Sequence, residues 1–380
     1  MKKIYLDYAA TTPVDPRVFS EMTPYFCDNF GNTMSLHSFG QEARMALDKS
    51  RGVVADFIGA KPEEIVFTSS ATESNNFVLK GIAFANRDRG NHIIISSIEH
   101  ACIMESANWL EGRGFEITRV PVDKHGVVNA NDVLKSINKK TILISIMHVN
   151  NELGSIQPIA EIGKIAKENN IYFHSDCSQS LGKIPINVND LNLDMLTASG
   201  HKIYGPKGIG ILFIKRGVKI DPLLSGGGQE MGLRSSTSNV ALAVGFAKAC
   251  ELFNQEEKEK LVELREYLID SVLLIPGSRL NSPQSGIPGI INFSFSGVEG
   301  EAITIRLDMD GIAVSTGSAC SSSKLRASHV LLATGMRPEE AHGSLRVSMG
   351  RWTTKEEINY FLESLNKNIN QLREISPFKK

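Results

Sequence analysis

No stretch of these 380 residues is long and apolar enough to cross a bilayer: the longest apolar run, TILISIM at 141–147, falls far short of the roughly 20 residues needed. Charge of one sign is missing too. With 41 basic and 42 acidic side chains, the net charge of −1 gives no electrostatic reason to expect nucleic acid or an anionic membrane as partner. Cysteine is sparse, at positions 27, 102, 177, 250 and 320, with no CxxC or Cys/His spacing. That excludes a zinc-site reading and a disulfide framework, and an odd number cannot all pair internally, so a reducing cytoplasm is the expected compartment. No metal is expected. The start, MKKIYLDYAATTP, lacks the apolar core of a signal peptide. Two phosphate-loop templates are also absent. Gly227 and Gly232 have Walker spacing, but Leu233 stands where the lysine belongs, and GPKGIG is not G-x-G-x-x-G. An ordinary nucleotide enzyme is thereby disfavoured.

What is present is alternation. EIVFTSS, HIIISSI, EITRVPVD, TILISIMHV, IYFHSD, DMLTAS and GILFIK read as strands, with helical patterns at 72–86, 101–113, 130–138 and 159–169 between most of them. This predicts an α/β fold with a mainly parallel seven-stranded sheet covered on both faces. Ligands of such sheets gather at the carboxyl ends of the strands. Polar clusters fall there: SSATESNN, IEH, HVNNELG, SDCSQ and SGHK. Beyond a Gly/Ser-rich loop, LLSGGGQEMGLRSSTSN, and a helix at 239–254, the pattern predicts a smaller α+β domain with strands GIINFSF, IAVSTG and SLRVSMG and a closing helix at 355–373. The boundary is placed at 257, giving a large domain of residues 13–257 and a small one of 1–12 plus 258–380.

Lys202 sits between two predicted core strands in SGHKIYGPKGIG, where a desolvated amine beside a histidine becomes a competent Schiff-base nucleophile. Asp176 ends another strand. On its own it reads as a helix cap, but opposite a pyridine nitrogen it would keep that nitrogen protonated. Thr72 opens a predicted helix whose N-terminus suits a phosphate. Together these residues describe a site for pyridoxal 5′-phosphate (PLP).

YLDYAATTP, ATESNN, EH at 99–100, HVNNELG, HSDCSQSLGK, SGHKIYGPKGIG, GGGQEMGLRS and STGSAC occur in the order seen in cysteine desulfurases of the NifS/IscS type. The chain resembles these fold-type I, class V aminotransferase-like PLP enzymes from residue 4 to about 374. The resemblance implies that Lys202 carries the cofactor and that His100, which otherwise reads equally well as a core histidine, stacks on its ring. It places Asp176 on the ring nitrogen and Asn151 and Gln179 near the ring oxygen. Ala71, Thr72, Ser199, Gly200 and His201 would surround ring and phosphate, with Thr237 supplied by the second subunit of a homodimer. Arg346, and Asn151 with it, would hold the substrate carboxylate, as a bidentate guanidinium suits.

Cys320 lies in STGSACSSSKLRASH, a polar, small-residue stretch that reads as a loop. A nucleophilic thiol needs such access, whereas Cys27, Cys102 and Cys250 read as small core residues. The resemblance implies that Cys320 takes sulfur from L-cysteine as a persulfide, leaving L-alanine, and passes it to an acceptor such as an iron–sulfur scaffold protein. Selenocysteine lyase, or another class V PLP enzyme, is the alternative. The chain departs from the family pattern at Cys177, beside Asp176, and in RSST at 234–237 where RSGT is usual.

Overall fold

The computed structural model describes residues 3–317 and 327–375. Twelve strands among them form three sheets. In chain order they are β1 (Ile4–Tyr5), β2 (Ile65–Thr68), β3 (His92–Ser96), β4 (Glu116–Val120), β5 (Thr141–Ser145), β6 (Tyr172–Asp176), β7 (Met195–Ser199), β8 (Gly210–Ile214), β9 (Ser278–Leu280), β10 (Ile290–Phe295), β11 (Ile312–Ala313) and β12 (Ser344–Ser348).

Each of the seven apolar runs from 65 to 214 becomes a strand of one sheet, ordered β2-β8-β7-β6-β5-β3-β4. Every residue of β2, β3, β5, β7 and β8 is buried, which is why these strands read as unbroken Ile/Leu/Val/Phe runs rather than as alternation. β4 lies at the edge, and its sequence EITRV is correspondingly half polar and partly exposed. The sheet is mainly parallel. The exception is β8, which runs antiparallel to both β2 and β7. Two hydrophobic clusters pack against the sheet, one including Val54, Phe173 and Phe246 and the other Phe77, Ile82 and Leu110.

A third cluster lies apart from the sheet and joins Leu268, Ile291, Phe293, Leu307, Val347 and Phe361 with Ile4 and Leu6 from the start of the chain. Position 257 falls in the first turn of the helix Gln255–Leu273, whose Leu264 and Leu268 belong to this cluster. The sheet here, β12-β10-β9, differs from expectation. IAVSTG touches it only through an isolated antiparallel bridge from Ser315 to Arg346 of β12; its ladder, Ile312 and Ala313, runs parallel to Ile4 and Tyr5, because the start of the chain comes in alongside them. The third full strand is β9, paired with β10, three residues with no apolar run to betray them. No helix among the described residues is long and apolar enough to cross a membrane.

Candidate functional site

Strand β7 ends at Ser199, and the chain turns at once into a single helical turn, Gly200–Lys202. Gly200 is required by close approach, since a Cβ there would meet Ile209, Phe246 and the Pro206 carbonyl at 3.0 Å. This tight turn sets Lys202 at the sheet edge, half-buried rather than fully buried as its position between core strands implies. Its Nζ donates to the carbonyls of Ala9 and Ala10 at 2.6 and 2.7 Å. The segment YLDYAATTP therefore forms one wall of the site. The Thr12 amide and hydroxyl donate to the His201 carbonyl at 2.9 and 3.0 Å, and the His201 ring meets the Thr11 hydroxyl at 3.1 Å. Burial and the neighbouring lysines push the His201 imidazole down to about 4, which keeps it neutral.

One strand over, Asp176 ends β6 and is 6% exposed. Oδ1 accepts from the Ser178 amide at 2.9 Å and its hydroxyl at 2.6 Å, and Oδ2 accepts from Asn75 Nδ2 at 2.6 Å. Asn75, fully buried in the helix Ala71–Ala85, also donates to Cys102 Sγ at 3.2 Å. Cys102 Sγ in turn lies 3.1 Å from His100 Nδ1. His100 caps the helix Ala101–Glu111 by accepting from the Cys102 amide. Burial lowers the His100 pKa against an opposing pull from Asp176. Burial likewise pushes the Cys102 thiol up to about 12, so it is no nucleophile at neutral pH.

Two of the cysteines read as core differ from that reading. Cys102 packs against the core but is only half-buried, its Sγ drawn into this polar network, and Cys27 is exposed at the end of a short helix. Cys250 is buried as expected, and the buried Cys177 thiol is pushed up to about 12.

The helix Ala71–Ala85 points its N-terminus to the same edge. Ser70 caps it by accepting from the Glu73 amide at 3.1 Å, with Ala71 half-buried and Thr72 exposed in the first turn. Glu73 holds Arg234 of the Gly-rich loop (Nε–Oε1 2.8 Å), and Thr237 of that loop is exposed in a cleft with Thr68, Ser69 and Arg234. The loop is anchored from below by Glu230, which takes Arg51 bidentately at 2.7 and 2.9 Å and the Phe67 amide at 2.9 Å.

From the opposite side, Arg346 on β12 is 3% exposed. It donates to the Asn151 carbonyl at 3.0 Å and to Asp7 Oδ1 at 2.7 Å, while its Nε is buried without a partner among the described residues. Gln179 donates to the Ala9 carbonyl at 2.8 Å, the same oxygen that receives Lys202, and accepts from Lys183 Nζ at 2.8 Å. Asn75, Asp7 and Lys183 carry no role in the sequence reading. They stand inside recognised motifs; the partners of Asn75 and Asp7 are far away in the chain, and that of Lys183 is Gln179, four residues earlier. Cys320 lies outside the described residues.

An amine, a carboxylate, an imidazole, a helix N-terminus and a guanidinium thus meet at one sheet edge. A class-V aminotransferase family model matches residues 4–361. The chain belongs to the class-V aminotransferase family. Among relatives in this family, the protein named cysteine desulfurase IscS from Dictyoglomus turgidum is 52% identical over 383 residues, covering 100% of this chain and 97% of that one. A solved structure described as a NifS-like protein superposes with a TM-score of 0.92 at 38% identity, covering 97% of this chain and 100% of that one. Another, described as SspA in complex with cysteine, gives 0.85 at 39% identity over 93% of this chain and 100% of that one.

Proposed function

We propose that the protein is a PLP-dependent cysteine desulfurase that converts L-cysteine to L-alanine and carries the sulfur as a persulfide on Cys320. One observation carries the reading: on a chain about half identical to a named cysteine desulfurase, Lys202 sits in the turn that follows β7 and Asp176 ends the adjacent strand β6, beside the N-terminus of Ala71–Ala85. These groups fit PLP: an amine for its aldehyde, a carboxylate for its ring nitrogen, and helix amides for its phosphate. Lys202, Asp176, His100 and Gln179 would hold the ring, and Ala71, Thr72, Ser199, Gly200 and His201 would line ring and phosphate. When bound, PLP supplies an electrophilic carbon and a sink for the electrons released when a substrate Cα–H bond breaks.

The chain's residues do the rest. Arg346 binds the substrate carboxylate through donors including the unpartnered Nε, with Asn151 beside it. Lys202 moves between the Ala9 and Ala10 carbonyls and the substrate Cα, whose proton its amine takes. Asn75 and Ser178 fix both oxygens of Asp176, so the carboxylate does not turn away. The Cys320 thiolate attacks the substrate sulfur. The Cβ–S bond breaks, sulfur stays on Cys320 Sγ, and protonation at Cβ completes alanine.

We further propose a homodimer in which Thr237 reaches the partner's phosphate region. Phe19, Phe26, Phe30, Met34, Leu36, Phe39 and Met45 are all more than half exposed, and Phe30 and Phe39 stack with centroids 5.7 Å apart, which supports a buried interface on this face. An iron–sulfur scaffold is the proposed sulfur acceptor, in a reducing cytoplasm. Incubation with L-cysteine, with alanine and sulfide measured in parallel, tests the reading. Equimolar products are expected, and alanine without sulfur release would refute it.

A further inference from the structure

Resting on the PLP reading, the structure points to a role for Lys183. We propose that Lys183 is a positioning residue that fixes, through Gln179, which end of that amide faces the cofactor site. Lys183 follows Gln179 by four residues, and its Nζ donates to Gln179 Oε1 at 2.8 Å. The other end of the amide, Nε2, donates to the Ala9 carbonyl at 2.8 Å, and that oxygen also receives Lys202 Nζ at 2.6 Å. An amide flips easily when its neighbours can both donate and accept. Here an ammonium, which only donates, holds one end, and a carbonyl, which only accepts, holds the other. Flipping Gln179 would set two acceptors face to face and two donors face to face.

The consequence lies in the second hydrogen of Nε2. With Oε1 pinned on Lys183, the NH2 group is held on the Lys202 side, where it remains a donor for a ring oxygen. Without Lys183, only the Ala9 carbonyl still favours the NH2 on that side, and the second constraint on the amide is lost. The lysine therefore acts at a distance, and its charge adds to the effect. Lys202 and Arg346 bear on it directly, His201 lies within its field, and Glu257 and Lys258 line the adjoining cavity. Burial together with Lys202 and Arg346 pushes the Lys183 amine down to about 7. The obligate-donor state is thus full below neutrality and lost as the pH rises through that value.

The test is a pH titration of the near-visible band of the PLP-loaded protein, read as the midpoint of its spectral change. Lys183→Met removes the donor and the charge, and both losses favour the protonated, more positive form of the chromophore. The midpoint should rise by about one unit, tenfold in proton affinity. Lys183→Ala gives the same expectation should methionine not be tolerated. Lys183→Gln keeps a donor for Oε1 and should move the midpoint less than half as far. In a Gln179→Leu background the Lys183→Met shift should shrink, because the amide through which it acts is gone. A midpoint within about 0.3 units of the parent protein in Lys183→Met and Lys183→Ala overturns the proposal, and so does an equal shift with and without Gln179. A parent protein with no band on addition of PLP overturns the cofactor reading and this proposal together; a normal parent band with an unresponsive midpoint overturns this proposal alone.

Discussion

Replacing Glu230 by alanine should destabilise the protein far more than its place in a Gly-rich loop implies. Glu230 and Arg51 are a buried pair, their side chains 4% and 11% exposed, joined by two guanidinium bonds at 2.7 and 2.9 Å. Glu230 also accepts from the Phe67 amide at 2.9 Å, at the end of β2. In the alanine variant the guanidinium keeps the Ile65 carbonyl and its place 5.0 Å over the Phe67 ring, but no counter-charge. Stranding a buried charge costs about 3–5 kcal/mol, and losing the Phe67 acceptor adds about 1 kcal/mol. The left-handed backbone at Glu230, φ 47°, burdens every non-glycine variant alike and cancels between them. Glu230→Gln, which keeps one acceptor oxygen but turns the other into a donor and removes the charge, should cost about 1–3 kcal/mol. Urea unfolding at fixed protein concentration measures each value, with the slope checked for constancy. The decisive comparison is the double variant Arg51→Met, Glu230→Met, which removes both charges. Its loss should fall at least about 2 kcal/mol below the sum of the single losses. A Glu230→Ala cost under about 1 kcal/mol, or strict additivity in the double variant, would refute the reasoning.

Lys202→Ala should abolish desulfurase turnover while leaving the melting temperature within a few degrees, because Lys202 is half-buried and bonds backbone carbonyls at an accessible edge; substantial activity in the purified variant would overturn its assignment. Cys320→Ala should still change its near-visible spectrum with L-cysteine yet release neither sulfide nor alanine, and mass spectrometry of the parent protein should find one added sulfur on the Cys320 peptide. Repeated mapping of that sulfur to Cys177 instead would sink the mechanism. Burial holds His148, His174 and His201 near 4 in the folded chain, below their unfolded value of about 6.5. The unfolded state therefore binds more protons in that window, and stability is full above about 6.5 and lost as the pH falls toward 4. Glu99, raised to about 8, opposes this above its own unfolded value. Thermal melts from pH 7 down to 4.5 check the slope, and a flat profile would contradict it.

Much of this was legible because burial writes itself into composition. A strand buried on both faces must be apolar throughout, so HIIIS, TILIS and GILFI announce themselves. The reversal of β8 does not, since its residues look like those of its parallel neighbours. A signal did exist: the ten residues 200–209 are too few for the crossover a parallel pair requires. Lys202 and Asp176 were visible as chemistry at strand ends. Asn75 and Asp7 were not, because their meaning comes from partners 101 and 339 positions away. Residue type records what a side chain can donate, but only the fold records to whom.

The reversed strand has a dynamic consequence for Lys202. β7 and β8 are laddered through five pairs, from Met195↔Ile214 to Ser199↔Gly210, and β8 is laddered again to β2 on its far side. The segment bearing Lys202 is therefore a short loop stapled at both ends into buried strands. Its backbone moves only if those ladders open, and opening fully buried strands approaches the cost of unfolding the whole chain. Amide exchange along 210–214 should then be among the slowest in the protein. The amine's travel between partners is left to the four torsions of its own side chain, which turn in pico- to nanoseconds and need no motion of the fold.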